Sequence, residues 1–409
     1  MTEQKHSFIP AKPTSWFISA AQTLIRADLA LTNKLVLNEN EFEVFRALPP
    51  GAGIILASNH ADEADPLVCL ELARRSGMRL ITMCNREAFD ENFGVAGWAL
   101  QRLGYFSVKR GAHDSDAKKY AIDVVRSGRD ALLIFPEGEI FYLNEEIQPF
   151  HSGAIDIGMQ AIVENRKSQP DWNAYIVPMV IKYHYDQPVL STIEIRVAKM
   201  EAELSLSANG ATLPNRIAAV QKSLFLREAA VHRLKTKDPA FQQMTQDIVN
   251  LEKSIVSEVE QRHRQASVSE KAAVIDQAWQ LAAQIKESLT EENDPVLRNQ
   301  AMQDLNLLKE AEQLSSWRPH YYLELTSPDR LAEVVMKLER QMYKIKRPRQ
   351  LANRTVYVKI AEPVSMEAHL IDYVQDPRQV RHNVTKQLHE RIQTMVSALA
   401  KDSGGNSER

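Results

Sequence analysis

A chain of 409 residues, 44% of them hydrophobic, is long enough for two domains or for one domain with a large insertion. Its 50 basic and 53 acidic residues leave a formal charge of -3, a near-balance that gives no support to a nucleic-acid partner, although local basic patches can still hold phosphate. Cys69 and Cys84 stand in no metal-like spacing, which argues against a disulfide framework or a structural zinc site.

The first residues carry charge together with Pro10 and Pro13 and give no uninterrupted signal-peptide core. No later stretch supplies roughly twenty consecutive apolar residues. A cytoplasmic chain is expected, soluble or peripheral on the cytoplasmic face of a membrane. Residues 1–50 read as an N-terminal helical segment, in which 16–37 carries recurrent apolar positions broken by Arg26, Asp28 and Lys34. That pattern covers a core or lies on a bilayer surface. Core cover is favoured, because a strong basic face is missing. A second helix is expected over 39–48, ended by Pro49-Pro50-Gly51.

Residues 53–57 read as a short buried strand, an apolar run bounded by glycine and a polar cluster. The stretch Ser58-Asn59-His60-Ala61-Asp62-Glu63-Ala64-Asp65-Pro66 follows it and precedes a helix over 67–76. At about 100° per residue, five positions along one helix turn by about 140°, so His60 and Asp65 diverge if both lie inside a helix. A strand-to-helix corner removes the objection. It lets Asp65 accept the proton on one ring nitrogen while the other faces a substrate, a base with its orienter. Two other readings stand beside it, a surface acidic turn with an idle histidine and a divalent-metal site made from His60, Asp62, Glu63 and Asp65.

Residues 80–83 give the next strand, 98–103 an apolar segment before a glycine turn, and Lys109-Arg110 two adjacent positive charges that by themselves read as a solvated face. A helix over 118–127 leads into a buried strand over 130–135. Pro136-Glu137-Gly138-Glu139 opens a polar-aromatic loop that ends near Gly153. A helix is expected over 154–163 and a strand or strand pair over 175–183. Residues 191–197, with Ile193, Ile195 and Val197 alternating against polar neighbours, read as extended.

From 213 to about 314 apolar residues recur at three- and four-residue intervals, as in Ile248, Leu251, Ile255 and Val259, with Pro239, Pro295 and Pro319 as interruptions. This predicts helix hairpins or a small bundle whose stripes pack on one another. Residues 344–349 with Arg354 form a positive patch, read first as a solvated linker and second as a contact for lipid headgroups, a cofactor phosphate or an acidic partner. A strand over 355–360 and a helix over 380–399 return to the first grammar, and 401–409 reads as a disordered tail. The order of elements favours an α/β fold, a mixed sheet flanked by helices, with functional loops at strand ends.

Four short blocks then occur in a shared order: Asn59-His60 followed by four residues and Asp65; Gly104-Tyr105-Phe106-Ser107-Val108-Lys109-Arg110; Phe135-Pro136-Glu137-Gly138; and Ile176-Val177-Pro178-Met179-Val180. In these the chain resembles the glycerolipid acyltransferase family related to the 1-acylglycerol-3-phosphate acyltransferases. The resemblance covers roughly 50–200 and, less closely, 355–400. It implies a catalytic core over 51–200, a helical insertion over 201–350 and a return to the core over 351–400. It implies acyl transfer from acyl-CoA or an acyl-ACP thioester to a hydroxyl of glycerol phosphate or a lysophospholipid, with His60 as general base and Asp65 as its orienter, and without metal or other cofactor. Lys109 and Arg110 correspond to a phosphate-binding part of the acceptor side, Glu137 and Gly138 to its acceptor-binding block, and Val177 and Pro178 to the acyl-donor side. After Gly138 the chain departs from the pattern, running Glu139-Ile140-Phe141-Tyr142 where Thr or Ser with a nearby basic residue is common. An acyl-thioester hydrolase is the alternative enzyme, and a non-catalytic lipid- or protein-binding module is the alternative class. The insertion is a candidate for a lid, a membrane-facing surface or an oligomer contact.

Overall fold

A computed structural model describes residues 8–234, 241–263, 268–269, 272–290, 292–346 and 348–405. Its centre is a mixed sheet in the order β1-β7-β6-β2-β5-β3-β4. The strands are β1 (Asn33–Leu37), β2 (Gly53–Ser58), β3 (Leu80–Asn85), β4 (Tyr105–Val108), β5 (Ala131–Ile134), β6 (Ala174–His184) and β7 (Arg354–Ile360); the two-residue β8 (Val364–Ser365) pairs with β6. β2 runs parallel to both β5 and β6, while β6 and β7 are antiparallel. The apolar runs of β2, β5 and β6 are buried almost throughout, as a sheet covered on both faces requires.

One face is covered by α5 (Ser115–Ser127), α6 (Gly153–Asn165) and α15 (Pro377–Gly405), whose residues Ala121, Ile162 and Ile392 share a core with Ile55 and Leu132. The other is covered by α1 (Ser15–Thr32) and α3 (Asp65–Ser76), which bring Leu29, Val68 and Leu72 against Leu56, Leu133 and Val177. Burying each such aliphatic side chain contributes about 1.5–3 kcal/mol. The helix α4 (Val95–Leu103) lies beside α1, and α2 (Glu43–Arg46) is one turn long.

Between β6 and β7 the chain runs through α7 (Leu190–Glu203), α8 (Leu213–Val231), α9 (Phe241–Arg262), α10 (Val274–Ser288), α11 (Pro295–Leu314), α12 (His320–Leu323) and α13 (Pro328–Tyr343). They build a core of their own from Ile217, Leu224, Leu251, Ile255, Leu308 and Val335, joined to the sheet domain through Phe141, Leu143 and Tyr185. A buried ionic joint ties the two together. Lys182 of β6 is wholly buried and lies 2.9 Å from Asp329 and 3.0 Å from Glu145; His184 also bonds Asp329, at 2.9 Å.

Several expectations are corrected. Residues 191–197 are helical, inside α7: Ile193, Val197 and Met200 are buried at helical spacing while Ile195 is 71% exposed. A short alternation of apolar residues fits both periods when only one face of a helix is sampled. The run of helices that follows β6 begins with α7 at Leu190. The apolar run over 16–37 is not one helix, because β1 takes residues from Asn33 onward as the edge strand beside β7. Residues 39–48 form a 3-10 turn and the single turn α2. Helix α3 starts at Asp65 itself. Arg354 is not in a solvated patch but is the buried first residue of β7. Helix α15 continues to Gly405, so the expected tail is in part helical; 406–409, Arg347 and the expected interruption at Pro239 lie outside the described residues. Pro295 is the first residue of α11, where its missing N–H costs nothing.

Candidate active site

The site begins where β2 stops pairing. The β2–β6 ladder ends at Ser58 opposite Met179, and the next residue continues it with a side chain. Wholly buried Asn59 donates through Nδ2 to the Ile181 carbonyl and accepts the Ile181 N–H through Oδ1, both at 2.9 Å. The backbone is thereby released from the sheet while its place stays fixed. It turns through Ala61-Asp62-Glu63-Ala64 into α3, as the strand-to-helix corner requires.

At this corner His60 Nδ1 lies 2.8 Å from Asp65 Oδ2. Asp65 is wholly buried, and its carboxylate also accepts the Asp62 N–H at 2.9 Å and the Tyr183 hydroxyl at 2.6 Å. Burial raises its pKa, while His60 works in the other direction. With Asp65 accepting at Nδ1, Nε2 is the basic nitrogen of the ring. Phe135 stacks on the imidazole with centroids 4.0 Å apart and planes 16° apart, which holds the plane of the base.

The third block grips the same turn from behind. Glu137 is buried and accepts the backbone N–H of His60 at 2.6 Å and that of Gln148 at 2.8 Å. Burial pushes its carboxyl up to about 7, against the pull of those two N–H groups. Gly138 has φ +78, and a Cβ there would stand 3.3 Å from both His151 and Trp279, so the position favours glycine in backbone and in space.

The remaining carboxylates of the corner each have a protein partner. Asp62 accepts the Ala64 N–H at 2.9 Å and pairs with Arg354 at 2.8 Å. Arg354 in turn donates to Asn33 at 3.0 Å and lies over the Tyr183 ring at 4.3 Å. Glu63 accepts the Tyr142 hydroxyl at 2.8 Å. Among the described residues no group of three or more His, Cys, Asp or Glu is arranged to hold a metal ion. Both cysteine thiols are free.

The second block reaches the site through carboxylates. Arg110 Nη1 lies 2.5 Å from Glu139 and 3.5 Å from Glu312 of α11, and its guanidinium sits over the Trp279 ring of α10 at 4.8 Å. Trp279 Nε1 donates to Glu312 at 2.7 Å. Burial disfavours charge on both acids; Arg110 outweighs it at Glu139, whose pKa is lowered, whereas Glu312, facing Glu139 as well, is raised. The backbone of Gly111 runs so close to Trp279 that a Cβ would meet its carbonyl oxygen at 2.2 Å. The side chain of Lys109 is exposed, and its N–H donates to Asp114 at 2.9 Å. Val177 and Pro178 are buried within β6 beside Leu56 and Ala57.

The structure thus brings His60, Asp65 and Glu137 into one hydrogen-bonded unit and sets Arg110 and Gly138 against the insertion, with Val177 and Pro178 embedded in the neighbouring strand. Sequence reasoning did not single out Tyr183, Arg354 or Phe135 as parts of the corner, nor Trp279 and Glu312. Phe135 stood inside a recognised block. The others come from strands and helices distant in the chain and carry no local signal.

A buried carboxylate bonded to a histidine at a strand-to-helix corner of an α/β fold is an arrangement from which the second ring nitrogen can act as a general base. Residues 41–182 match the family model described as Acyltransferase. That stretch is similar to acyltransferase domains, and the match supports a general acyl-transfer activity. The match spans the His60 corner and all four blocks, and ends within β6; the insertion lies outside it. No curated protein sequence matches the chain. No helix among the described residues is long and apolar enough to cross a membrane.

Proposed function

We propose that this protein is an O-acyltransferase that moves a fatty acyl group from an acyl-CoA or acyl-ACP thioester to a hydroxyl of glycerol phosphate, a lysophospholipid or a related acceptor. The observation that carries the reading is the His60–Asp65 pair, 2.8 Å apart, within the stretch that matches the acyltransferase family. His60 Nε2 takes the proton of the acceptor hydroxyl as the oxygen attacks the thioester carbonyl. The resulting imidazolium is stabilised by Asp65. On collapse the C–S bond breaks, the thiolate leaves and the histidine returns its proton to sulfur, so no acyl-enzyme is needed.

Glu137 and Gly138 serve as the acceptor side, Glu137 by fixing the backbone of His60. Lys109 and Arg110 face the acceptor's polar group, which meets Arg110 in competition with Glu139 and Glu312. Val177 and Pro178 support the acyl-donor side through the strand beneath the corner. Contact with a membrane surface is supported by a stripe on α1: Trp16, Leu24 and Leu31 are 67%, 73% and 72% exposed, while Ile25 and Leu29 pack on the sheet. Both readings of the N-terminal apolar pattern are thus served by different faces of one helix.

Acyl-thioester consumption across glycerol 3-phosphate, lysophospholipids and simple alcohols, with product mass measured and liposomes present or absent, tests this function. Folded His60→Ala should lose product formation by about 10³-fold or more; transfer near the parent rate would falsify the base assignment. Thiol release at the same rate without any acceptor would make the protein a hydrolase. Leu24→Ser should float less with the liposomes if α1 faces the membrane.

A further inference from the structure

The four residues that follow the third block, Glu139-Ile140-Phe141-Tyr142, form one wall of a cavity of about 130 Å³, and helices α11 and α13 form the other. The insertion lines it with four cationic side chains, Lys309, Lys337, Arg340 and Lys346. The acids that face it are Glu63, Glu139 and Glu312. Glu63 accepts the Tyr142 hydroxyl, and Glu139 and Glu312 are engaged with Arg110. The bases are less matched. Among the described residues neither Lys309, Lys337 nor Arg340 has a carboxylate within ion-pair distance, and Lys346 pairs only with Glu91, outside the cavity, at 3.0 Å.

Lys337 carries this furthest. It is 8% exposed, and the one hydrogen bond it makes among the described residues is to the Ser316 carbonyl, at 3.1 Å. An ammonium has three donors, and the Ser316 carbonyl takes one of them. Burial lowers its pKa, which is the cost a bound anion removes. Arg340 lies over the Tyr142 ring at 5.1 Å, and among the described residues its guanidinium makes no hydrogen bond. Tyr142 itself is held at φ +53, a conformation that is costly for a bulky side chain and that turns its ring into this wall. Its hydroxyl bonds Glu63, which lies between His60 and Asp65 in the catalytic corner.

We infer that this cavity is an anion subsite contributed by the insertion, in which Lys337, Arg340 and Lys309 hold the phosphate monoester of the acyl acceptor while its hydroxyl is presented to His60. The inference rests on the acyl-transfer reading for the identity of the ligand, but not for the presence of the anion site. Arg110, already opposed by two carboxylates, meets the acceptor in competition with them, and most of the positive charge left for a dianion comes from α11 and α13. Charge-assisted hydrogen bonds from a guanidinium fork and two ammonium groups suit phosphate oxygens.

The test uses the full-length chain and two probes, inorganic phosphate titrated by calorimetry without thioester, and glycerol 3-phosphate compared with glycerol in the transfer assay. Arg340→Gln and, separately, exposed Lys309→Gln should each weaken phosphate binding by about tenfold, with an unchanged melting temperature as the check on folding. In the assay the KM for glycerol 3-phosphate should rise by a similar factor while the KM for thioester and the rate with glycerol stay put. Absence of phosphate binding to the parent chain at millimolar concentration, or equal binding in both variants, overturns the subsite. A rise in the thioester KM instead assigns the cations to phosphates of the donor and overturns the acceptor assignment. If phosphate binding falls as expected but no alcohol is ever acylated, the subsite stands and the transferase reading fails; if transfer proceeds with no phosphate binding, the reverse holds.

Discussion

The His60 corner and the Arg110 cluster sit on the same α/β domain but are built in different ways. At the corner His60, Asp65 and Glu137 come from the family-matched stretch, and their partners Asn59, Phe135 and Tyr183 lie in or beside the central strands. At the cluster the catalytic domain supplies Arg110 and Glu139, while Trp279 and Glu312 come from the insertion. The proposed acyl-transfer chemistry is thus carried by the sheet domain alone. On the proposed reading, acceptor selection belongs to the place where the insertion meets that sheet, since loops and insertions can change without disturbing the core.

The sharpest way to break this division is at the orienter. Asp65→Asn keeps the shape of the corner but presents the wrong group to Nδ1, and kcat should fall by about 10²–10⁴-fold with acceptor KM little changed; steady-state kinetics on a variant of unchanged circular dichroism checks it. A fall in KM selectivity instead of kcat would place Asp65 with the acceptor side.

Glu137→Gln should cost about 10–10²-fold in kcat, because an amide cannot accept the N–H groups of both His60 and Gln148 and the base shifts. The same substitution has a pH signature. In the folded chain the Glu137 carboxyl holds its proton up to about 7, whereas the unfolded chain releases it near the ordinary 4.5. Between those values the folded state binds more protons, so the stability this group contributes is present below about 4.5 and is lost as the pH rises toward about 7. Thermal midpoints measured from pH 4.5 to 7 should therefore drift less in Glu137→Gln than in the parent.

The smallest expected effect belongs to the insertion. Glu312→Gln removes one of the two carboxylates facing Arg110 and should change acceptor KM by about two- to fivefold, with kcat and thioester KM unchanged. Kinetics across charged and uncharged acceptors reads this directly, and a loss of kcat comparable to that of Asp65→Asn would erase the difference between the two regions.

Much of the fold was legible in local pattern. Short apolar runs over 53–57 and 130–135 became β2 and β5 because a sheet covered on both faces tolerates nothing else there. The helical grammar from 213 onward held because its stripes repeat over many turns. Where the pattern was brief it misled, as at Ile193, Ile195 and Val197, or stayed mute, as at Asn33 to Leu37, whose strand character depends on β7 arriving from more than three hundred residues away.

The sequence by itself determined that His60 and Asp65 flank a strand-to-helix turn, a local matter set by backbone geometry, and left a paired base, an idle acidic turn and a metal site all open there. Tertiary structure alone decided what surrounds it. The Tyr183 hydroxyl on Asp65, Arg354 on Asp62 and the insertion's cations beside Tyr142 are contacts between groups with no sequence proximity. They arise because burying the apolar faces of sheet and bundle forces those polar groups together, and each charge, once removed from water, must find a partner or wait for a ligand to supply one.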